Sequence, residues 1–355
     1  MNQSVQNINQ INLRILNYNI FIRPTGIATY FRFNGDAKDE RLYKIGTLLK
    51  KYDIAMFQEL FNFNFGIAKN RTIEMIKIAK ENGLKYYAYY KPTTFSLVDS
   101  GLLIVSRYPI VKSQLFPYNS STGFDKFSEK GVLYAKIKIN DYFINVFNTH
   151  TQAGNSLEET IIRWKQIRSM IKIINNIVTN SETIIFGGDF NIDAINNISY
   201  DNNQINISNT YESQNYTKLI SLLNKQLNRN IIDCLYNNPN INIKISNNKD
   251  VPFYKWFHKQ FEKKKKYLIK HPITSFGHGE IGINGKTNII KNYFECIDYL
   301  FLCPCNQQNI KIISSKSKPF LNNSQHCIAL SDHYALDVKL QIESFENVPF
   351  DHKYN

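Results

Sequence analysis

The stretch 183-TIIFGGDFN-191 runs from a short apolar segment through a glycine pair into alternating polar and aromatic positions. An apolar run of this length, rich in β-branched residues and closed by glycines, predicts a buried strand. In an extended chain, residues two apart point to the same side, so Asp189 and Asn191 are expected to face one site while Phe190 faces the core. The predicted strand therefore ends in polar groups that can orient water and bind an anionic oxygen.

The same pattern, a short apolar run ending in polar residues, recurs along the chain. It predicts strands over residues 13–20, 54–57, 101–106, 132–139, 142–147, 297–302 and 335–342. Asn140-Asp141 lies between two of these runs and favours a tight turn, which indicates a β-hairpin.

Amphipathic helical patterns alternate with the strands. They cover residues 39–51, 67–82, 157–180 and 216–228. In the third of them, Trp164 and Ile171 belong to a stripe at helical spacing that is expected to lie in the core. We find no Gly-rich phosphate loop, repeat or long linker. The pattern therefore predicts one domain over residues 1–355, with two packed sheets, helices outside them and polar residues along one rim.

The charge of the chain restricts its partners without choosing among them. Lys and Arg number 43 against 29 Asp and Glu, which gives a net charge of +14. Such a surface attracts nucleic acid, anionic lipid headgroups and phosphorylated metabolites, and it also serves solubility alone.

The sequence does not predict a disulfide framework, a zinc site or a membrane anchor. Its five cysteines are an odd number, and Cys303-Pro304-Cys305 has no second Cys or His pair at zinc-ligand spacing. Residues 1–12 lack the basic start and apolar block of a signal peptide, and no run reaches the ~20 apolar residues of a membrane span. We therefore predict a soluble, cytoplasmic monomer, with peripheral membrane contact and secretion from a trimmed precursor both left open.

Acidic, amide and imidazole side chains collect where the predicted strands end. They are Asn19, Glu59, His150, Asp189, Asn191, Asp298, Asp332 and His333. Any one of them alone is most often a turn residue, a helix cap or a structural histidine. Their recurrence in the same setting favours a shared site.

These residue types suit phosphodiester hydrolysis with a divalent cation. Glu59 follows an apolar run, and a carboxylate at the edge of a core is well satisfied by Mg²⁺, for which Asn19 offers an amide oxygen. Asp298 is a natural partner for orienting His333, and His150 supplies a second imidazole. One imidazole can activate water and the other can assist the leaving group while the metal offsets charge.

In order and spacing, the motifs resemble those of the endonuclease/exonuclease/phosphatase superfamily. The matching segments are Asn19, Gln58-Glu59, Thr149-His150, Gly188-Asp189-Phe190-Asn191, Asp298-Tyr299 and Ser331-Asp332-His333. The resemblance covers about residues 11–342. It implies an α/β (α+β) fold of the DNase I-like type, a four-layer sandwich in which two packed, mainly antiparallel β-sheets are flanked by helices.

Further segments resemble secreted bacterial sphingomyelinases. Residues 128-SEKGVLYAKI-137 are similar to the stretch before their central hairpin, and 149-THTQA-153 is similar to their His-containing strand end. Residues 99–110 and the layout from Thr274 to Asp298 are similar too. The resemblance implies Mg²⁺-dependent hydrolysis of membrane sphingomyelin to ceramide and phosphocholine, with Mn²⁺ able to substitute.

For the metal, the resemblance implies Glu59 as the principal ligand, with Asn19 close by. Asp99 lies where the bacterial enzymes can hold an additional metal at the edge of the site. Around Asp99 the match is incomplete.

For catalysis, the resemblance assigns one role to each remaining residue. Asp189 and Asn191 would hold water and phosphate, and His150 and His333 would be the catalytic imidazoles. Asp298 would support His333, and Asp332 would adjoin the metal or the residues around it.

The segment before the final Asp-His pair departs from the bacterial enzymes. They carry an exposed hydrophobic hairpin there that engages membrane, whereas residues 318–326 of this chain are short and mostly polar. Residues 253–261, rich in aromatics, and the following Lys263–Lys266 suit an anionic lipid surface, and equally suit a basic helix packed through Trp256 and Phe257. The sequence thus predicts peripheral membrane contact through a basic surface.

Three other functions fit parts of the sequence. A nuclease of the same fold is favoured by the net charge, because binding to a phosphate backbone is largely electrostatic, but is disfavoured by the Lys130-Gly131 and His150–Ala153 segments. A phosphoinositide phosphatase usually shows a Trp-Cys-Asp-Arg motif, and residues 295–299 read ECIDY instead. A non-catalytic lipid-binding relative would have lost a site residue, and here every one is present.

Overall fold

The computed structural model describes residues 10–24, 37–63, 69–91, 96–179, 181–195, 198–201, 204–207, 212–236, 274–276, 292–305, 308–320 and 330–344. The aromatic and lysine-rich segment 253–266 and residues 321–326 of the polar segment therefore lie outside the described residues. Among the helices described, none is long and apolar enough to cross a membrane.

The described chain forms sixteen strands and four α-helices. The strands are β1 (Gln10–Ile22), β2 (Ile54–Leu60), β3 (Tyr86–Ala88), β4 (Leu103–Ser106), β5 (Ile110–Pro117), β6 (Gly131–Ile139), β7 (Tyr142–His150), β8 (Thr183–Asp189), β9 (Ile198–Asp201), β10 (Gln204–Ile207), β11 (Ile232–Asp233), β12 (Ser275–Phe276), β13 (Asn292–Glu295), β14 (Asp298–Cys303), β15 (Gln308–Lys318) and β16 (Ala335–Ser344). The α-helices are α1 (Lys38–Leu48), α2 (Arg71–Glu81), α3 (Leu157–Ile177) and α4 (Gln214–Leu227), and short 3₁₀ helices cover Leu49–Lys51 and Gly123–Phe127.

Two six-stranded sheets carry the fold. The first has the strand order β15-β16-β1-β2-β4-β3, and the second has the order β11-β14-β8-β7-β6-β5. Each contains one parallel pair, β1 with β2 and β7 with β8. The other described pairings in both sheets are antiparallel, so the prediction of two mainly antiparallel sheets is confirmed.

Three apolar cores separate four layers. The first lies between the two sheets and includes Ile54 and Val146. The second joins the first sheet to α1 and α2, where Leu42 packs near Phe57. The third joins the second sheet to α3 and α4 and contains Trp164, as the sequence predicts. The order of the layers is therefore helices, sheet, sheet, helices.

Local capping sets where the helices begin. Ser156 and Glu159 form a capping box at the start of α3, which satisfies backbone N–H groups that the first turn leaves free. The predicted helix 67–82 is shorter in the structure, because the side chain of Asn70 accepts a hydrogen bond from Ile73 N at 3.0 Å and caps α2 there.

The strands that the sequence analysis did not predict lie at sheet edges or in a small third sheet. β5 and β15 are outer strands with mostly half-buried or exposed residues, so their apolar alternation is weak. The Asn-rich stretch 198–207 contains β9 and β10, which belong to a four-stranded sheet of order β10-β9-β13-β12. The high Asn content of this stretch is the reason that the sequence analysis did not predict these two strands.

A partly buried ion pair connects β1 to β16. Arg14 Nη2 lies 2.6 Å from Asp337 Oδ2, and Arg14 Nε donates to Asp337 Oδ1 at 2.8 Å. Lys318 contacts the same carboxylate from β15. Burial raises the pKa of Asp337, but hydrogen bonds from the two cations outweigh burial and lower the pKa to about 2.

We expect Asp337→Asn to lower the free energy of unfolding by about 2 kcal/mol at neutral pH, because it leaves two cations without their shared carboxylate. A depressed folded-state pKa contributes stability above the unfolded value of about 3.9, and this contribution is lost as the pH falls towards about 2. Urea unfolding of the wild type and the variant at several pH values should show that the difference between their free energies of unfolding becomes smaller in acid. A gap that stays constant down to pH 3 would contradict the assignment.

Candidate active site

Five of the predicted residues meet at one rim of the sandwich. β1 and β2 are neighbours in the first sheet, and β7, β8 and β14 are consecutive in the second. In register, His150 pairs with Asp189, and Asp189 pairs with Asp298. The facing sheets thereby bring Asn19 and Glu59 opposite these three residues.

Asp189 lies at the centre of the group. Its Oδ2 accepts a hydrogen bond from Asn19 Nδ2 at 3.1 Å. The same oxygen is 3.6 Å from His150 Nε2 and 3.7 Å from His333 Nε2. Asn19 Nδ2 also donates to Glu59 Oε1 at 3.0 Å, and Glu59 Oε1 is 4.0 Å from His150 Nε2. One carboxylate thus touches both imidazoles and, through Asn19, a second carboxylate.

Asp298 orients His333, as the sequence predicts. His333 Nδ1 lies 2.8 Å from Asp298 Oδ2, an arrangement that places the proton on Nδ1 and turns Nε2 towards Asp189. Ser331 Oγ accepts from His333 N at 3.1 Å and donates to Asn19 O at 2.7 Å, which ties the last motif to β1. The structure therefore joins residues more than 300 positions apart.

The two imidazoles have opposite electrostatic surroundings. Burial lowers the pKa of His333, but Asp298, Asp332 and Asp189 outweigh it and raise this pKa well above the usual value. Burial and the nearby Lys130 lower the pKa of His150 well below the usual value. Burial and repulsion from Asp298 raise the pKa of Asp189 to about 7. One cleft therefore holds groups that favour different protonation states, an arrangement that suits acid–base chemistry.

Lys130 is a site residue that the sequence analysis used only for the family resemblance. Its Nζ lies 3.2 Å from His150 Nε2 and 3.0 Å from Thr151 O, and it pairs with Asp125 Oδ2 at 2.8 Å. Lysines are rarely buried without a partner, and this one is only 3% exposed. The feature of the sequence that could have indicated this role is a lysine directly before an apolar strand that begins with glycine.

The backbone is constrained where it carries the site. Gly188 has φ 137°, and a Cβ there would overlap the Thr149 carbonyl oxygen, so only glycine fits. Glu59 and Asn191 adopt left-handed φ values of 55° and 49°, an uncommon backbone conformation for residues other than glycine.

Asn191 therefore reaches the site differently from the extended geometry that the sequence suggested. Its N–H donates to Asp189 Oδ1 at 2.9 Å, and its Nδ2 donates to Thr151 O at 3.1 Å. Phe190 is fully buried, as predicted. The shared location of Asp189 and Asn191 comes from a turn rather than from strand alternation.

A layer of buried amides lies beneath the site and was not predicted. Gln58 Nε2 donates to Asn17 Oδ1 at 2.8 Å and to Asn148 Oδ1 at 2.6 Å. Asn148 Nδ2 in turn donates to Phe57 O at 2.8 Å. These amides connect the two sheets directly behind Asn19, Glu59 and His150, and fix the spacing between them.

Asp99 and Asp332 differ in their relation to the central group. Asp99 accepts hydrogen bonds from Asn62 N, Asn62 Nδ2, Gly101 N and Tyr89 OH, and burial raises its pKa to about 6. No contact between Asp99 and Glu59 or Asp189 is found among the described residues, so an edge metal there stays a prediction. Asp332 is buried beside His333 and accepts from Ser331 Oγ at 3.3 Å.

The central donor set fits a divalent cation. Glu59, His150 and Asp189 each offer one ligand atom within 4.8 Å of the others, as do Asp189, Asp298 and His333. Asp298 and His333 already bind each other, which favours the first group. Asn19 presents its nitrogen to the carboxylates while its oxygen accepts from Phe21 N at 3.1 Å, so it positions Glu59 and Asp189 in this structure.

A family model matches most of the chain. The model for the Endonuclease/Exonuclease/phosphatase family covers residues 30–333. The chain belongs to this family. The resemblance inferred from the six motifs is thereby confirmed.

Two family relatives carry sphingomyelinase names. The chain is 27% identical over 201 residues to Sphingomyelinase C of Bacillus cereus, which covers 52% of this chain and 58% of the relative. It is 41% identical over 121 residues to a sphingomyelinase of Dictyostelium discoideum, covering 30% of this chain and 25% of that protein. The chain thus spans a little over half of the first relative and a quarter of the second.

Solved structures of the family share the fold. The chain superimposes on a mutant of beta toxin from Staphylococcus aureus with bound magnesium ions, with a TM-score of 0.60 and 19% identity. The match covers 92% of this chain and 99% of the toxin. The four-layer sandwich is therefore confirmed independently of the motifs.

Proposed function

We propose that this family member is a divalent-metal-dependent phosphodiesterase that hydrolyses sphingomyelin to ceramide and phosphocholine. The observation that carries the proposal is the position of Asp189, within 3.7 Å of both imidazoles and hydrogen-bonded to the amide that holds Glu59. Carboxylates and imidazoles in this arrangement supply the groups that in-line attack of water on phosphorus requires.

The residues divide the proton transfers between them. Asp189, with its raised pKa, is placed to orient the attacking water and accept its proton. His333 is held by Asp298 and favoured as the imidazolium. Its positive charge favours the ionised form of Asp189, the form that can accept a proton. His150 and the Lys130 ammonium lie 3.2 Å apart and face the same space, and the leaving oxygen would take its proton from this hydrogen-bonded pair. Asn191 supplies a neighbouring amide.

Glu59 would be the principal ligand of the cation, with the Asp189 carboxylate beside it, and Mg²⁺ is the natural choice because it prefers carboxylate oxygens and keeps several waters. A divalent cation in this position supplies neutralisation of the phosphate charge and polarisation of its P–O bonds. Mn²⁺ is expected to substitute, since its ligand preferences are close.

The substrate assignment rests on the local identity with sphingomyelinases. Residues 128–137 and 149–153 are the segments that resemble those enzymes, and the structure places Lys130 against His150 between them.

A panel of three substrates tests the proposal. We expect choline phosphate release from sphingomyelin in the presence of Mg²⁺, and loss of that release in excess EDTA. Plasmid DNA and a phosphoinositide, assayed in parallel, should be cleaved at least about a hundredfold more slowly, a ratio equivalent to about 3 kcal/mol in the transition state. Preferential cleavage of plasmid DNA would indicate a nuclease instead of a sphingomyelinase. Full activity in excess EDTA would show that the reaction does not need a divalent metal.

A further inference from the structure

Four exposed apolar side chains belong to chain segments that are neighbours beside the site. Phe124 and Phe127, both in the 3₁₀ helix Gly123–Phe127, are 93% and 54% exposed, Leu157 at the start of α3 is 78% exposed, and Leu97 is 46% exposed. We name Leu97, Phe124, Phe127 and Leu157 the apolar rim. Scattered exposed apolar residues are ordinary, but a group of them on one face marks an interaction surface.

Hydrogen bonds show that the three chain segments of the rim are neighbours. Val98 N donates to Phe127 O at 3.0 Å, which fixes the Leu97 segment against the 3₁₀ helix. Thr122 Oγ1 donates to Glu158 Oε1 at 2.9 Å, which fixes the same helix against the start of α3. The three segments that carry the rim are therefore held next to one another.

The rim is also tied to the active site. Asp125 lies between the two phenylalanines, and its Oδ2 accepts from Lys130 Nζ at 2.8 Å and from Ala153 N at 2.9 Å. Lys130 contacts His150, and Phe61 lies with its ring centroid 6.5 Å from that of His150. Two contacts, Asp125 with Lys130 and Lys130 with His150, thus link the segment that carries Phe124 to a proposed catalytic imidazole.

We propose that the apolar rim inserts into the surface of a lipid bilayer and holds the active site at the level of the headgroups. This inference rests on the proposed lipid substrate. Exposed phenylalanine and leucine side chains beside an exposed lysine, here Lys126, suit the boundary between acyl chains and headgroups.

The rim predicts a form of membrane binding that differs from the electrostatic contact expected from the net charge. Attraction between lysines and anionic lipid is screened within about one Debye length, roughly 8 Å at physiological salt. Burial of apolar side chains does not depend on lipid charge. Binding to neutral vesicles at high salt therefore isolates the contribution of the rim.

The test compares the full chain with one triple variant and one double variant. The rim variant is Phe124→Ser/Phe127→Ser/Leu157→Ser. The matched control is Val111→Ser/Ile313→Ser. Val111 is 52% exposed and lies on β5, at the end away from Pro117, and Ile313 is 54% exposed and lies on the outer strand β15. Sedimentation with sphingomyelin–phosphatidylcholine vesicles in EDTA and high salt measures binding without turnover.

We expect the rim variant to lose at least about tenfold in vesicle partitioning, because each apolar side chain that leaves the bilayer gives up favourable burial. The control variant should partition like the wild type. Both variants should hydrolyse a water-soluble, short-chain sphingomyelin at the wild-type rate. If the triple variant does not fold, Phe124→Ser alone replaces it and should still weaken partitioning severalfold, since this side chain packs little in the folded protein.

Two results would overturn the rim proposal. One is wild-type partitioning by the rim variant, and the other is a wild type that binds only anionic vesicles and is released by salt. The proposed function fails separately, if neither sphingomyelin substrate is hydrolysed by the wild type. Loss of vesicle binding in the rim variant would then still support the rim.

Discussion

Glu59→Gln is expected to reduce phosphodiesterase turnover by roughly a thousandfold, which corresponds to about 4 kcal/mol in the transition state. The substitution keeps the size of the side chain and removes its charge. Glu59 is one of three residues with ligand atoms within 4.8 Å of one another, so the loss of its charge weakens the hold on a divalent cation. The left-handed backbone at this residue, φ 55°, fixes where the carboxylate points, and a substitute placed elsewhere on β2 will not compensate.

Two measurements separate this effect from a general loss of structure. Isothermal titration with Mg²⁺ should show weaker binding by the variant, and urea unfolding should show a similar midpoint. Glu343→Gln is a matched control, because Glu343 lies on β16 and binds Asn309 and Lys311. Wild-type turnover in Glu59→Gln would disprove the role of this carboxylate.

His333→Ala is expected to lower turnover by about 10² to 10⁴-fold, the usual contribution of a general acid–base group. Its Nε2 faces Asp189 at 3.7 Å, and its Nδ1 is held by Asp298 at 2.8 Å. Removing the imidazole takes from Asp189 the neighbour that is favoured as the imidazolium and leaves it only His150, whose pKa is lowered. If His333→Ala turns over substrate at the wild-type rate, this imidazole has no catalytic part.

Asp298→Asn is expected to reduce turnover less than His333→Ala does. Burial lowers the pKa of His333 and Asp298 is the largest influence that raises it. Without that carboxylate the pKa falls, so the imidazolium is lost at lower pH. The limb of the pH–rate profile that reports His333 should move towards acid, which a merely structural change would not produce. An unshifted profile would mean that the 2.8 Å contact does not tune the imidazole.

Much of the fold was predictable because apolar periodicity reports directly which face of an element is buried. The central strands β1, β2, β6, β7, β8 and β16 are strongly apolar, and all were predicted. Edge strands bury one face at most, so β5 and β15 carried too little signal. The left-handed turn at Asn191 was hidden because strand alternation and a turn can give the same spacing of polar residues.

The sequence by itself determined the residue types of the site, their order and the family, because polar groups at the ends of apolar strands are visible in one dimension. Only the tertiary structure decided which of them meet. Lys130 joins His150, and the Asn17, Gln58 and Asn148 amides join beneath them, because sheet packing sets contacts between strands that are remote in the chain. The apolar rim was likewise decided in three dimensions, since exposure depends on what the rest of the fold leaves uncovered.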